Sequence, residues 1–244
     1  MVERADRAPV ATFLAPGAWD AMVELGEAAA HHASVKRLRI GDVIRLTSGD
    51  GRRARGIVSD LSRRQCRVAL HEGSLELVPE PPRLELWAPV GDRERMLLLA
   101  EKAVELGASA WRPVVYQRSR SVSPRGEGEG FREKVRLRMI GALEQSGGAW
   151  LPVLHDEAPL DDALRAAPGV CGVLLDAAGE PLLALREHLR APVAIALGPE
   201  GGLDAAERAR FRAAGWRAAT LGANVLRFET AGIAALVLVR SLIH

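Results

Sequence analysis

The sequence predicts an α/β fold, a parallel sheet with helices between its strands, preceded by a small β-rich domain. Three observations lead there. From residue 84 onward, short apolar runs alternate with helix-period segments, the pattern of a parallel sheet. Between residues 42 and 70, apolar and polar residues alternate with period two around a tight-turn signal, which suits small antiparallel strands. Near the C-terminus, two glycine-bearing segments each follow an apolar run and lead into a helical pattern. Two such strand-loop-helix units side by side build a ligand crevice at the C-terminal ends of parallel strands.

In chain order, residues 18–30 read as a helix and residues 42–47 as a strand. Ser48-Gly49-Asp50-Gly51 reads as a hairpin turn, and residues 53–60 and 65–70 continue the strands toward a small barrel. Prolines 79, 81 and 82 stiffen an extended linker, so the expected domains are 1–80 and 81–244. Residues 84–88 read as a strand, 93–106 as a helix stopped by Gly107, and 111–116 as a strand. Residues 121–130 form a polar, Gly-rich loop before a helix over 131–146. Residues 170–175 and 193–197 are apolar strands of the buried type. Asp204 caps a helix running to Arg212, ended by Gly215, and residues 228–242 form the last helix.

The first glycine segment is Leu197-Gly198-Pro199-Glu200-Gly201-Gly202; the second runs from Leu221 and Gly222 through Ala223, Asn224, Val225 and Leu226 to Arg227, Phe228, Glu229 and Thr230. Glycines here let a ligand approach the main chain. A phosphate loop would follow them with Lys-Ser or Lys-Thr, and neither is present. Glu200 would repel phosphate, and Pro199 removes one amide donor. A neutral or cationic ligand held through backbone groups fits better than a nucleoside phosphate. The other reading is a pair of tight turns with no ligand.

Composition adds boundaries. The chain has 244 residues, enough for one large or two modest domains, and 48% hydrophobic residues, enough for real cores. Net charge is only +2, but ten Lys/Arg face three Asp over residues 33–70, and eight face three Glu over 112–138. Such local excess suits phosphate contacts. Cys66 and Cys171 lack metal-ligand spacing and read as cytosolic thiols, and the His residues form no metal set. The charged opening, residues 1–7, carries no signal-peptide pattern, and the longest apolar run, 231–239, is too short to span a bilayer. The expectation is a cytoplasmic protein without membrane or metal.

With these residues in view, the chain resembles the RsmE family of SPOUT-class methyltransferases. The GPEGG segment with Leu203, Glu207 and Gly215-Trp216, then the LG-x-x-x-LR-x-ETA segment, carries the likeness most specifically. Upstream, Glu105-Leu106-Gly107, Gln117-Arg118-Ser119, Glu144-Gln145-Ser146, His32-Ala33-Ser34-Val35, Leu38-Arg39 and Gly41-Asp42 match further short motifs in order. The resemblance implies a SPOUT-type parallel sheet with a C-terminal trefoil knot and an N-terminal PUA-like β-barrel. General topology rules argue against a knot. It also implies methylation of N3 of a uridine in 16S ribosomal RNA, with S-adenosylmethionine as cofactor, the small ribosomal subunit as partner and a homodimeric state.

Under that resemblance, Leu197, Gly198, Pro199, Glu200, Gly201, Gly202, Leu221, Gly222, Asn224, Val225 and Leu226 hold the cofactor. Arg227 stabilises charge on the uracil, Glu229 accepts the N3 proton or orients Arg227, and Thr230 caps the last helix or bonds substrate. Arg7, His32, Lys36, Arg37, Arg39, Arg118 and Arg120 are the expected RNA contacts. The departures are Ala223-Asn224 where the family has Pro-Arg or Pro-Leu, Gly147-Gly148 where Arg is usual, and an altered start around Arg7. Ribose 2′-O methylation, a non-catalytic rRNA-binding assembly factor and a nucleotide-binding enzyme are the other readings. The PUA-like barrel and the ETA motif argue against the first, and Glu200 with the missing Lys against the last.

Overall fold

The computed structural model describes residues 8–119 and 129–243. The chain divides into two compact units, Met1–Glu80 with Ile140–Leu151, and Pro81–Met139 with Pro152–His244.

In the first unit, one sheet runs in the order β1 (Thr12–Leu14), β3 (Val43–Thr47), β4 (Arg52–Leu61), β5 (Cys66–Leu70), β2 (Met22–Leu25), with β6 (Glu76–Leu77) also on β4. β1 lies parallel to β3, and the other pairs are antiparallel. Among the described residues no ladder joins β1 to β2, so the expected barrel is a half-barrel. The turn signal at residues 48–51 does join β3 to β4. Gly49 (φ 80°) and Gly51 (φ 102°) adopt the left-handed conformations it needs. Phe13, Ile44, Leu46, Val58, Cys66 and Val68 form the centre of the core.

The helix expected over 18–30 begins only at Glu27, and its expected first half is not helical. Residues 22–25 alternate exposed and buried, pair antiparallel with β5, and send Val23 and Leu25 into the core. The helix, α1, starts after Gly26 and covers Glu27–Val35. Period-two burial against β5 outcompetes the helical preference of neighbouring alanines. Beyond the C-cap Lys36, Arg37 takes φ 55° and Leu38 N donates to Ala33 O, a helix stop that glycine usually supplies.

Residues 140–151 belong to this unit, although the linker at 79–82 would assign them to the other. Glu144 accepts from Leu14 N at 2.9 Å and meets His32 Nδ1 at 3.1 Å. Thr47 Oγ1 donates to Gly148 O, and Arg53 Nη1 to Gly147 O, both at 2.9 Å. Gly147, at φ 70°, ends α3 (Glu129–Ser146), which accounts for glycine where the family resemblance expects arginine.

In the second unit the sheet order is β10 (Ala158–Pro159), β8 (Ala110–Val115), β7 (Leu84–Pro89), β12 (Val193–Leu197), β11 (Cys171–Pro181), β13 (Arg217–Thr220), with β9 (Val153–Leu154) also on β8. Every pair is parallel, as the strand-helix alternation predicts. β12 is buried along its whole length, the signature of a strand covered on both faces. α2 (Arg93–Glu105) packs on α6 (Phe228–Leu242), and Gly232 permits it. A Cβ there would sit 2.8 Å from Leu99 Cδ1 and 2.9 Å from Leu197 Cδ1. A second cluster centres on Trp87, Phe211 and Trp216, next to α4 (Leu160–Ala166) and α5 (Ala205–Ala213). The Trp87 and Trp216 ring centroids are 4.6 Å apart, and Gly172 leaves room for Trp216.

Candidate active site

A crevice of about 490 Å³ opens at the C-terminal ends of β12 and β13, beside the middle of β11, where the open parallel sheet is expected to bind its ligand. The volume lies within the roughly 300–1,000 Å³ common for small-molecule sites. Leu197, Gly198, Pro199, Glu200 and Gly202 supply one wall; Leu221, Asn224, Val225, Leu226 and Arg227 supply another. Gly202, at φ 71°, turns the first loop toward α5.

That first loop is braced. Asp204 and Glu207 form a reciprocal capping box at the start of α5. Glu207 is only 2% exposed and also accepts from Gln117 N at 2.7 Å, so its place in the motif is structural. Arg118 Nη1 donates to Gly201 O at 3.1 Å, which turns Gly201 out of the crevice wall and onto Arg118. Arg95 Nη1 bonds Glu200 Oε1.

The second loop is open. Residues 222–227 are all exposed, with Val225 at 90%. Gly222 stays outside the lining; its N–H and C=O bracket Thr220 Oγ1 instead. Arg227 occupies the N-cap position of α6, where no side chain caps the helix. The capping role expected of Thr230 is therefore not seen: it lies inside the first turn, exposed and outside the crevice lining. Glu229 is buried at 8% exposure. Its Oε1 lies 3.8 Å from Arg95 Nε, and its Oε2 has no hydrogen-bond partner. Glu229 lies outside the crevice lining, with the Arg95 guanidinium near one of its oxygens.

Asp176 and Arg95 are among the crevice residues that escaped the sequence reading. β11 shifts register between Leu175 and Glu180, because Gly179 lies against the Ala218–Ala219 backbone too closely for any side chain. The intervening residues bulge, and Asp176 enters the lining. Burial alone would raise its carboxyl pKa, but the Ala178 amide at 3.0 Å and Arg208 Nε at 2.6 Å outweigh it and lower the value. The signal was available: Asp176 ends an apolar run that reads as a parallel strand. Arg95 left no comparable trace, being about a hundred residues from the loops it meets.

The expected RNA contacts separate by unit. Lys36, Arg37 and Arg39 are exposed at and beyond the end of α1. His32 is half-buried between Glu144 and the Phe13 ring, with ring centroids 5.3 Å apart. Arg118 lies in the second unit beside Gly201, and Arg7 and Arg120 lie outside the described residues. Among the described residues, no group of three or more His, Cys, Asp or Glu is placed to hold a metal, and no helix is long and apolar enough to cross a membrane.

Comparison with known proteins converges on one family. A model described as an RNA methyltransferase domain matches residues 79–240, and one described as an RNA methyltransferase PUA domain matches residues 25–70. The ribosomal RNA small subunit methyltransferase E of Mycobacterium bovis is 30% identical over 229 residues, covering 86% of this chain and 82% of that protein. The enzyme of the same name from Synechocystis is 26% identical and covers 92% and 75%. The crystal structure of ribosomal RNA small subunit methyltransferase E from Neisseria gonorrhoeae, bound to S-adenosylmethionine, superposes with a TM-score of 0.85 at 25% identity, covering 96% of this chain and 98% of that one. A methyltransferase domain matched over most of the second unit and homology along nearly the whole chain lead to one conclusion: this protein belongs to the ribosomal RNA small subunit methyltransferase E family.

Proposed function

We propose that this protein methylates N3 of a uridine in 16S ribosomal RNA, using S-adenosylmethionine bound in the crevice at the ends of β12 and β13. The observation that carries this reading is the crevice itself. Its walls are the two family segments, and it combines apolar Leu197, Leu203, Leu221 and Leu226 with two carboxylates, Asp176 and Glu200, each paired with a guanidinium of the same lining, Arg208 and Arg95. Such a lining suits a largely apolar cofactor held through backbone groups.

When bound, the cofactor supplies an electrophilic methyl on a sulfonium. The chain's own residues align and charge the site. Arg227, exposed at the crevice edge, stabilises the negative charge that the uracil carbonyls gain as the N3 proton leaves. Glu229, with one oxygen unpartnered, accepts that proton or holds Arg95 in place. Thr230, exposed one residue further on, contacts substrate. Gly201 and Gly222 act as turn residues of the two loops. Lys36, Arg37 and Arg39, with His32 beside them, contact the RNA backbone from the first unit. The same reading includes the C-terminal knot, a homodimer, the small ribosomal subunit as substrate and a cytoplasmic location.

The test is to incubate the purified protein with S-adenosylmethionine and small ribosomal subunits from a strain lacking this gene, then analyse nucleosides by mass spectrometry. New 3-methyluridine is expected. A ribose-methylated product would reassign the acceptor atom. Absence of both cofactor binding and product would leave an rRNA-binding assembly factor.

A further inference from the structure

The crevice carries a charged pair that the proposed chemistry does not use. Asp176 sits midway along β11, where the bulge before Gly179 brings it into the lining, and Arg208 reaches the same lining from α5. Neither residue belongs to the segments that carry the family resemblance.

The two partners are not equally placed to meet a ligand. The Asp176 side chain is 8% exposed and both of its oxygens are engaged, Oδ1 by Ala178 N at 3.0 Å and Oδ2 by Arg208 Nε at 2.6 Å. The Arg208 side chain is 42% exposed, and its Nη1 donates to Leu203 O at 2.5 Å. A guanidinium carries five N–H donors in a planar fork. Two of them are used within the protein, and Nη2 has no partner among the described residues. The carboxylate therefore anchors, and the guanidinium presents donors to the crevice. Holding Nε and Nη1 fixes the plane of the fork beforehand, which lowers the side-chain entropy lost on binding.

A fork with its Nη edge open matches a carboxylate, through charge-assisted bonds that can run in parallel. The proposed cofactor has one anionic group, the α-carboxylate of its amino-acid end. Two other guanidinium groups line the crevice. Arg95 is flanked by two carboxylates, Glu200 and Glu229. Arg227 is exposed at the start of α6, where the proposed reaction uses it at the uracil. Arg208 remains, held by one buried carboxylate and open on its other edge.

We infer that Arg208 binds the α-carboxylate of S-adenosylmethionine and that Asp176 is the positioning residue that holds its guanidinium. The inference rests on the reading of the crevice as the cofactor site. It adds a side-chain contact at the amino-acid end to a ligand otherwise held through backbone groups.

Calorimetric titration with three neutral-sulfur nucleosides tests the assignment. They are S-adenosylhomocysteine, its decarboxylated analogue, which keeps the ammonium, and 5′-methylthioadenosine, which lacks the amino-acid end. Arg208→Gln is expected to weaken S-adenosylhomocysteine about 10-fold or more and to change the other two by no more than about 2-fold. Asp176→Asn is expected to follow the same pattern with about a 3-fold loss. Because Arg208→Gln leaves a buried carboxylate without its charged partner, the variant carrying both substitutions is measured beside it. That variant is expected to discriminate among the ligands as Arg208→Gln does, since the two residues act as one unit. An equal loss for all three ligands, or no loss for any, overturns the inference. So does a loss shared by the decarboxylated analogue, because the carboxylate is then not what Arg208 reads. Failure of the parent reading looks different: the wild-type protein would bind none of the three, and the inference would fall with it.

Discussion

The two loops that face each other across the larger crevice are built in opposite ways. The loop from β12 to α5 is held by a capping box, by the buried Glu207 on Gln117 N, by Arg118 on Gly201 O and by Arg95 on Glu200. The loop from β13 to α6 is exposed from residue 222 to 227 and enters its helix without a side-chain cap. Both lead from a parallel strand into a helix, and both carry glycines. The difference teaches that one wall of the crevice is held by contacts within the protein, whereas the other is not. Such preorganisation lowers the ordering cost of binding a ligand on the first side.

That contrast can be broken most forcefully through Glu207. Glu207→Ala removes the acceptor for two backbone amides in a buried place and is expected to destabilise the protein by about 3 kcal/mol. Thermal unfolding should then fall by about 10 °C. A melting temperature equal to wild type would mean that the first loop is not braced from below. Next in size is Arg227 on the open side. Arg227→Ala is expected to lower methyl transfer about 100-fold while cofactor affinity stays nearly the same. Wild-type turnover by this variant would remove Arg227 from the reaction.

Hydrogen exchange sharpens the comparison without mutation. Saturating S-adenosylmethionine should protect amides of residues 222–227 more than those of residues 198–202, since the braced loop is ordered already. Equal protection on both sides would erase the distinction. The smallest effect concerns Val225. Val225→Ser should change stability by no more than about 0.5 kcal/mol, because the side chain is exposed. It should nevertheless weaken cofactor binding about 3-fold or more if the cofactor covers it. Titration calorimetry beside a denaturant melt separates the two quantities.

Much of this arrangement was legible in the chain. The strand at Val193–Leu197 and the helix at Phe228–Leu242 have the bounds that their apolar patterns imply. Asp204 caps α5 as its position before a helical run suggests, and the turn at residues 48–51 joins its two strands. Ten of the residues expected to hold cofactor or substrate line one crevice, because loops following parallel strands emerge at one edge. What failed, failed for nonlocal reasons. Residues 22–25 became a strand because β5 offered a partner, and local preference cannot anticipate a partner more than forty residues away.

The sequence by itself determined the alternation of strands and helices, the two glycine loops and the family to which they belong. These depend on local spacing and residue type, which the chain displays directly. Only the tertiary structure decided that Glu229 lies buried near Arg95, that Asp176 bulges into the crevice and that residues 140–151 belong with the first unit. Each of these depends on segments distant in sequence meeting in space. Burial and strand register bring them together, and neither quantity is written at any single position of the chain.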